Sequence, residues 1–346
     1  MTGSLAFRIV LKMLQLPAGV SVDTAIAAYR QNPAVALLAP NAPIKATSLS
    51  TSPTALGMLG GWIPDDPLFP DQWALQDGVT NVLSLWRRDL SAKNVLIAVV
   101  DTGIDYTHPD LAGRVEPGYN FVDGNTDVMD RDGHGTHVAG IIAAAGNNGI
   151  GVAGIAWDAK LLAVKVMNRT GGSNFAAISG IKYAVDHGAK VINLSFTKPT
   201  PGRNPLFDLA VQYATAHGVL VVAAAGNEHG AVCAPANCPG ALAIAALGDQ
   251  TVDTLAPYSN FGPQIFMAAP GTDILSTYPG DQYRSLSGTS MAAPMVSAAA
   301  ALLMDEHPDW NLSEIEHGLE EAADPVGTAT RSDQYGYGCL DFAKLP

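Results

Sequence analysis

The stretch Ser287-Gly288-Thr289-Ser290-Met291-Ala292-Ala293-Pro294 decides how the rest of the chain is interpreted. An Ala-rich apolar run follows it, from Met295 to Met304, which predicts a helix. The Gly-Thr-Ser before this run predicts a tight entry, with Ser290 in or beside the first turn. A hydroxyl there lies among backbone N–H groups that lack intrahelical acceptors, where a developing anion is stabilised. Taken alone, the segment favours an ordinary helix cap.

Composition sets limits on the class of protein. The chain has 346 residues, 48% of them hydrophobic and 15% charged, with 35 glycines, which is typical of an α/β protein with buried strands and tight turns. The net charge of −13 argues against a nucleic-acid partner and suits cation binding or an extracellular enzyme. No apolar run reaches the ~18 residues of a membrane span. The first eight residues lack the layout of a secretory signal.

The chain divides into three parts by composition. Residues 1–41 predict a small α+β unit, with a strand over 5–12, a helix capped by Ser21 and a strand over 35–38. Residues 42–61 are rich in Pro, Ser, Thr, Ala and Gly and have the composition of a linker. The main domain is expected over 62–346.

Apolar runs alternate with helical stretches in the main domain. Strands are predicted at 95–100, 161–166, 191–195, 219–224 and 242–246, and helices at 175–187 and 205–217. This alternation predicts a doubly wound, mostly parallel sheet with helices on both faces. Functional groups then belong at the carboxyl ends of the strands.

Three polar residues stand out at or near such positions. Asp101 follows a strand directly, Asn227 follows another, and His134 precedes an Ala-rich helix. Each also has a structural interpretation: Asp101 as a cap or ligand, Asn227 as a turn residue, and His134 as a buried histidine. His134 and His137 lack the Glu of a His-Glu-x-x-His zinc motif, so zinc is not favoured.

Together the motifs Val99–Asp105, Gly133–Gly140, Ala223–Glu228 and Ser287–Pro294 resemble those of the subtilases, the subtilisin-like serine peptidases. The likeness extends from about Trp62 to Phe342. It implies that Ser290 is the nucleophile, His134 the general base and Asp101 the residue that orients His134. Asn227 and the backbone N–H of Ser290 would then bind the oxyanion. The expected activity is endopeptidase cleavage of proteins or peptides through an acyl-enzyme.

The resemblance also implies where a substrate binds. An extended peptide would pair with Ser195, Phe196 and Thr197, and Thr197 stands where the family often has Gly. The pocket for the residue before the cut (P1) would be walled by Ser195, Phe196, Ala224, Ala225 and Gly226, with Glu228 at its mouth. That lining favours large hydrophobic side chains within a broad specificity, while Glu228 could also tolerate Lys.

A second likeness is to thermitase-type members, which bind calcium. In this comparison Asp66, Asp110 and Asn148 would supply side-chain oxygens, and Ala145, Ile150 and Val152 would supply carbonyls, a set that suits Ca²⁺. Asn120, Asp123, Asn125 and Asp127 have the spacing of a second calcium loop, although a solvated turn is equally compatible. The family's weak cation site is expected to be absent, because Gln264 and Phe266 replace its acids.

Residues 5–41 resemble the later half of the family's inhibitory propeptide, so the chain's own N-terminal part is expected to act as an intramolecular inhibitor and to be cut off within 42–63. The protein is expected to be secreted and monomeric, without nucleic-acid or membrane partners.

Cys233 and Cys238 could form a local disulfide or remain two buried thiols. A peptide-binding homologue without activity and a narrow processing peptidase remain as alternatives. An intact set of Asp101, His134, Asn227 and Ser290 disfavours the first of these.

Overall fold

The computed structural model describes residues 10–46, 49–50, 63–88, 90–198, 202–248, 254–328 and 330–346. Its N-terminal part contains one helix, α1 (Val22–Tyr29), which begins as predicted, because the Ser21 side chain accepts a hydrogen bond from the Thr24 N–H. The predicted strand over 35–38 is wrong: that run is not a strand and pairs with none of the strands that the structure describes. Most of the strand predicted over 5–12 lies outside the described residues.

The stretch interpreted as a linker contains two strands, β1 (Pro43–Ala46) and β2 (Leu49–Ser50). The composition of this stretch is typical of a segment without secondary structure. Both strands nevertheless pair with strands of the main domain, and this pairing outweighs the low strand propensity of the local sequence. The predicted boundary between residues 61 and 62 lies in the stretch 51–62, outside the described residues.

The main domain alternates strands and helices along the chain. Its first half contains α2 (Val82–Arg87), β3 (Leu96–Asp101), β4 (Val115–Asn120), α3 (His134–Ala143), β5 (Lys160–Lys165), β6 (Met167–Asn168), β7 (Gly171–Ser173), α4 (Asn174–Asp186), β8 (Val191–Leu194) and β9 (Phe196–Thr197). Its second half contains α5 (Pro205–Ala216), β10 (Leu220–Ala224), β11 (Ala241–Leu247), β12 (Ile265–Pro270), β13 (Ile274–Tyr278), β14 (Gln282–Ser287), α6 (Thr289–Glu306), α7 (Leu312–Glu321), β15 (Ala323–Asp324) and β16 (Cys339–Leu340).

The central sheet has nine strands in the order β15-β16-β12-β11-β10-β8-β3-β5-β4. All neighbouring pairs are parallel except β15 with β16. The buried apolar residues form two large clusters, one on each face: α3 and α6 pack on one face, and α4 and α5 on the other. The predicted doubly wound, mostly parallel fold is therefore confirmed.

Two smaller sheets lie beside the central one. One has four strands in the order β6-β7-β1-β9, and the other has three in the order β13-β14-β2. Each of them includes one strand from the N-terminal stretch. Among the residues that the structure describes, no helix combines the length and apolar character that crossing a membrane requires.

Candidate active site

Asp101 and His134 meet at the carboxyl end of β3. The Asp101 Oδ1 atom lies 2.7 Å from His134 Nδ1 and also accepts a hydrogen bond of 2.7 Å from the Thr102 N–H. Asp101 is fully buried and His134 is 7% exposed. A carboxylate that holds Nδ1 leaves Nε2, on the other side of the ring, as the atom that can accept a proton. Within the described residues, His134 Nε2 has no hydrogen-bond partner.

The start of α3 is held so that His134 keeps this position. Gly133 has a positive φ of 105°, and a Cβ there would lie 2.2 Å from the Tyr278 ring. The Tyr278 hydroxyl donates to the Asp132 carbonyl oxygen, while Thr102 Oγ1 accepts from the Gly135 N–H at 2.8 Å. These contacts require glycine at 133 and tie the first turn of α3 to the end of β3.

His137 has a different environment, one turn along the same helix. It is fully buried, and its Nε2 lies 2.9 Å from the carbonyl oxygens of both Ile274 and Arg284. Burial lowers the pKa of His137 to about 3, so the ring is neutral at ordinary pH. His137 therefore joins α3 to the β13–β14 hairpin and takes no part in a proton relay.

Ser290 lies in the first turn of α6, as predicted, and is fully buried. Its hydroxyl donates to the Ser195 carbonyl oxygen at 2.8 Å, and the Ser195 hydroxyl donates to the Ser290 carbonyl oxygen at 2.9 Å. Asn193 donates from Nδ2 to Ser195 Oγ, and Ser297 donates to Asn193 Oδ1. This buried polar chain fixes the start of α6 against the end of β8.

Asn227 faces the start of α6. Its Oδ1 accepts from both the N–H and the hydroxyl of Thr289, at 3.0 and 2.9 Å. Because the amide oxygen is held in this way, the Nδ2 group is the end of the side chain that remains available as a donor. Thr289 Oγ1 also accepts from the Gly226 N–H at 3.1 Å, which fixes the backbone beside Asn227.

The residues predicted to bind a peptide lie around this centre. Ser195, Phe196 and Thr197 are buried at and beyond the end of β8, and Ala224, Ala225 and Gly226 are buried at the end of β10. Glu228 is exposed, and its Oε2 accepts from the Asn227 N–H at 2.9 Å. The structure thus brings the predicted peptide strand and pocket wall to the edge of the sheet that carries Asp101.

The N-terminal stretch pairs with strands on both sides of Ser290. β1 lies antiparallel between β7 and β9, with Ile44 opposite Gly172, Lys45 opposite Thr197 and Ala46 opposite Phe196. Ile44 is fully buried. β2 pairs antiparallel with β14, where Leu49 is opposite Ser287.

The residues of the first predicted calcium site also come together. Asp66 is 2% exposed and Asp110 is fully buried. Asp66 accepts from the N–H groups of Asn147 and Asn148, whereas Asp110 accepts from Asn148 Nδ2 and the Val152 N–H. Burial, together with the charges of Asp110 and Asp65, raises the pKa of Asp66.

The surroundings of these two carboxylates are crowded and polar. A Cβ at Gly151, which has a positive φ of 50°, would lie 2.1 Å from Asp110 Oδ2. The Ala145 N–H donates to the Asp110 carbonyl oxygen at 2.8 Å, so the 145–152 loop lies directly beside Asp110. The described residues contain no cluster of three or more His, Cys, Asp or Glu side chains suited to a metal. A cation here would need the Asn and carbonyl oxygens of the predicted set.

The second predicted calcium loop has a different pattern of hydrogen bonds. Asn120 Oδ1 accepts from the N–H groups of Val122 and Asp123, and Asn125 Oδ1 accepts from the Asp127 N–H. Asp127 is exposed, and its Oδ2 lies 2.9 Å from Arg131 Nη2. These oxygens cap the backbone of their own turn, which is how Asx turns are stabilised.

Cys233 and Cys238 are buried thiols, so the disulfide alternative is not adopted. Cys233 is in contact with Asn260 Nδ2 and the Ala231 carbonyl oxygen, whereas Cys238 hydrogen-bonds to Asp208. The two sulfurs thus have different partners. The Ala234–Pro235 peptide between them is cis.

Several residues that support the site were given no role in the sequence analysis. Asn193 and Ser297 fix Ser195, Thr289 holds Asn227, and Asn260 contacts the loop after β10. Thr289 belongs to the Ser287–Pro294 motif, so it could have been found there. Asn260 lies in a different segment of the chain, and only the folded structure brings it to the site.

The sequence was compared with models of protein families and with known proteins, and the matches are to the subtilase family. The model of the subtilase family matches residues 92–338. A thermophilic serine proteinase from Bacillus sp. (strain AK1) is 40% identical over 314 residues, which are 90% of this chain and 73% of that relative. Thermitase from Thermoactinomyces vulgaris is 42% identical over 273 residues, which are 78% of this chain and 95% of thermitase.

Solved structures show the same fold. The proteases from Pseudoalteromonas arctica give a TM-score of 0.74 at 33% identity, covering 82% of this chain and 98% of that one. Fervidolysin from Fervidobacterium pennivorans, described as a keratinolytic enzyme related to subtilisin, gives 0.76 at 31% identity, covering 88% of this chain and 51% of that one. The family match covers more than half of the chain and includes Asp101, His134, Asn227 and Ser290. The chain therefore belongs to the subtilase family and is a serine-type endopeptidase.

Proposed function

We propose that this endopeptidase cleaves peptide bonds with Ser290 as nucleophile, His134 as general base and then acid, and Asp101 as the residue that orients His134. The observation that carries the proposal is the 2.7 Å contact between Asp101 Oδ1 and His134 Nδ1 at the end of β3. It fixes the tautomer in which Nε2 accepts a proton, which a serine hydroxyl needs to become an effective nucleophile.

The reaction follows from these groups. The Ser290 hydroxyl, which donates to the Ser195 carbonyl oxygen in this structure, turns to His134 Nε2 and transfers its proton as Oγ attacks the carbonyl carbon. Asn227 Nδ2 and the Ser290 N–H stabilise the resulting oxyanion. His134 then protonates the leaving amine, and water hydrolyses the acyl-enzyme by the same steps in reverse order.

The P1 pocket supports a preference for large hydrophobic residues. Ala224, Ala225 and Gly226 contribute little side-chain volume and no charge to its wall. The carboxylate of Glu228 is held against the Asn227 N–H, so it does not face the pocket as an unbound charge.

We also propose that the N-terminal stretch inhibits the enzyme by occupying its cleft. β1 has the antiparallel pairing that a bound peptide uses on a strand edge, and β2 continues on the other side of Ser290. β1 ends at Ala46 and β2 begins at Leu49, and the two strands pair on either side of Ser290. The bond proposed for self-cleavage therefore lies between Ala46 and Leu49.

This cut would retain Asp66 in the mature enzyme, as the sequence predicted. The residues that could stand at P1 in this stretch, Ala46, Thr47 and Ser48, are smaller than the P1 residue expected for other substrates. An intramolecular cut tolerates a poor P1 residue, because the tethered bond is present at a high effective concentration. Ile44 fills a buried position just before this stretch and can supply part of the binding that P1 does not.

Calcium binding at Asp66, Asp110 and the 145–152 loop is the third part of the proposal. The fit rests on two buried carboxylates from distant segments, one of which has its pKa raised in part by the other. Ca²⁺ would supply the positive charge between them and join the N-terminal arm to the 145–152 loop. A second ion in the 120–127 loop has weaker support, because those oxygens already cap their own turn. Secretion and a monomeric state complete the proposal, and both suit the net charge of −13.

Ser290→Ala tests the catalytic proposal. The variant should lose peptide hydrolysis and labelling by a serine-directed phosphonate, keep its fold by circular dichroism, and remain uncut between Ala46 and Leu49 by intact mass. Ser285→Ala is the matched control, since Ser285 is also buried in this region but its Oγ has no hydrogen-bond partner among the described residues. Hydrolysis by Ser290→Ala would refute the assignment.

A further inference from the structure

We propose that Asn260 is a positioning residue for catalysis, because its amide holds the loop that carries both Asn227 and Glu228. The inference rests on the function proposed above. Asn260 lies between β11 and β12, outside the four motifs, and is fully buried. It touches neither Ser290 nor His134 in the described hydrogen bonds, so any effect on the reaction must act through the loop.

Both the oxygen and the nitrogen of the Asn260 side-chain amide hydrogen-bond to this loop. Oδ1 accepts from the N–H groups of Glu228 and Gly230, both at 2.9 Å. Nδ2 lies within reach of Ala225 O at 3.2 Å, Glu228 Oε2 at 3.0 Å, Ala231 O at 3.0 Å and Cys233 Sγ at 3.7 Å. One buried side chain therefore bonds to residues on both sides of Asn227. Asn is suited to this position because its short side chain carries both an acceptor oxygen and a donor NH₂ group.

The backbone of Asn260 adds a further contact. Its N–H donates to the Gly226 carbonyl oxygen at 2.9 Å. Gly226 has a positive φ of 118°, and a Cβ there would lie 2.2 Å from Asn260 Nδ2. The amide is thus packed against the residue that immediately precedes Asn227.

Glu228 connects the amide to the proposed oxyanion donor. Its Oε2 accepts from both Asn260 Nδ2 and the Asn227 N–H, so the carboxylate lies between the two residues. Asn227 is then held from two sides: by Thr289 through its side chain and by Glu228 through its backbone. Loss of the Asn260 amide removes one of the two described donors to the Glu228 carboxylate and so weakens the second support.

Two consequences follow for the reaction. A displaced Asn227 stabilises the oxyanion less well, which lowers kcat more than it raises KM, because the oxyanion forms only in the transition state. A released Glu228 carboxylate can turn toward the pocket, which favours a substrate with Lys at P1 relative to one with Phe. A residue that only stabilised the fold would change neither the kcat-to-KM balance nor the P1 preference.

The test uses the full chain as wild type, Asn260→Ala, Asn260→Asp and the control Asn237→Ala. Asn237 is a neighbouring amide whose Nδ2 donates to the Val232 carbonyl oxygen, and its side chain has no hydrogen bond to Asn227 or Glu228 in the described part of the chain. Active sites are counted by phosphonate labelling, and kcat and KM are measured on peptide anilides with Phe or Lys at P1. Asn260→Ala should lower kcat per labelled site about 10- to 100-fold and raise the Lys-to-Phe ratio. Asn237→Ala should do neither.

Asn260→Asp keeps the shape and the acceptor for Glu228 and Gly230 but brings a second carboxylate to Glu228. Two carboxylates this close share a proton, so this variant should lose kcat as pH rises through an ionisation that wild type lacks. Adding Glu228→Gln should remove that ionisation. If Asn260→Ala does not fold, the pH profile of Asn260→Asp is by itself a sufficient test of the proposal.

The proposal is overturned if Asn260→Ala keeps the kcat and P1 ratio of wild type per labelled site, or if Asn260→Asp shows the pH profile of wild type. A lower melting temperature with unchanged kinetics would assign Asn260 a structural role only. If wild type is not labelled by the phosphonate at all, the proposed function fails rather than the role of Asn260.

Discussion

This molecule has two groups of buried acidic side chains, and the free-energy cost of burying a carboxylate is offset differently in each. Asp101 lies against His134, a ring that can take up a proton, and accepts a backbone N–H. Asp66 and Asp110 lie near each other, and among the described hydrogen bonds their carboxylates accept only from amide groups and, at Asp110, from the Tyr283 hydroxyl. A buried carboxylate needs a partner of opposite charge or strong donors. The first arrangement suits a charge that appears during a reaction, and the second suits a permanent cation.

Asp101→Asn should have the largest effect and tests the first half of this comparison. An amide removes the negative charge that stabilises protonated His134 and no longer enforces the tautomer with Nε2 free. We expect kcat to fall by about 10⁴-fold, the size of this effect in serine proteases of another fold. The measurement is peptide hydrolysis per folded molecule, with the melting temperature as control. Activity within tenfold of wild type would show that His134 does not depend on Asp101.

Removal of calcium tests the second half. The ion would join the N-terminal arm, Asp110 and the 145–152 loop, which the unfolded chain does not hold together. Binding to the native state alone adds about 4 kcal/mol at a thousandfold excess of ion over Kd. For a chain of this size that corresponds to about 6 °C in Tm. Calorimetry should show this loss on dialysis against EDTA.

Asp110→Asn should reproduce most of that loss and leave the Tm insensitive to EDTA. Its kcat should stay close to that of wild type when measured well below the lowered Tm. An unchanged Tm of wild type in EDTA would mean that the two carboxylates are stable without a cation, and the comparison would fail.

The histidines of α3 extend the comparison to pH. Because the pKa of His137 is lowered to about 3 from an ordinary 6.5, the unfolded chain takes up its proton first as pH falls. The stability due to neutral His137 is complete above pH 6.5 and is lost as pH falls toward about 3, by about 1.4 kcal/mol per pH unit at most. His137→Asn should flatten this part of the curve of unfolding free energy against pH, measured in urea.

The smallest effect is expected from Asp123→Asn in the 120–127 loop. The Asp123 carboxylate accepts one hydrogen bond from Asn120, and the rest of the turn is held by the Asn120 and Asn125 side-chain oxygens and by backbone contacts. The Tm should change by about 2 °C or less, as for a typical surface substitution. Its response to EDTA should match that of wild type. A markedly weaker response to EDTA would instead establish a second cation site in this loop.

The sequence predicted the parts of the molecule that are determined by local pattern. Apolar runs gave the strands β3, β5, β8, β10 and β11, and a polar residue at the end of a strand marked Asp101 and Asn227. The start of α6 at Thr289 followed from the small residues before the Ala-rich run. In each case the signal lies within a few residues, so residue propensity and hydrophobic periodicity are enough to predict the element.

Pairing between distant segments could not be predicted in this way. β1 lies in a stretch with linker composition and is a strand only because β7 and β9 offer it free edges. The run at 35–38 has strand character but no such edge. The thiols of Cys233 and Cys238 are close in sequence, yet their directions depend on Asn260 and Asp208, which belong to other segments.

The burial of α6 has a consequence for hydrogen exchange. Every residue from Thr289 to Leu303 is buried, and the helix lies against the central sheet and α3. Amides in such an element exchange with solvent only when the whole domain opens, so their exchange rates should report the global free energy of unfolding. Ser290 lies in the first turn of this helix. The proposed nucleophile is therefore attached to an element that does not open locally, and any motion that admits substrate must come from the strands and loops around it.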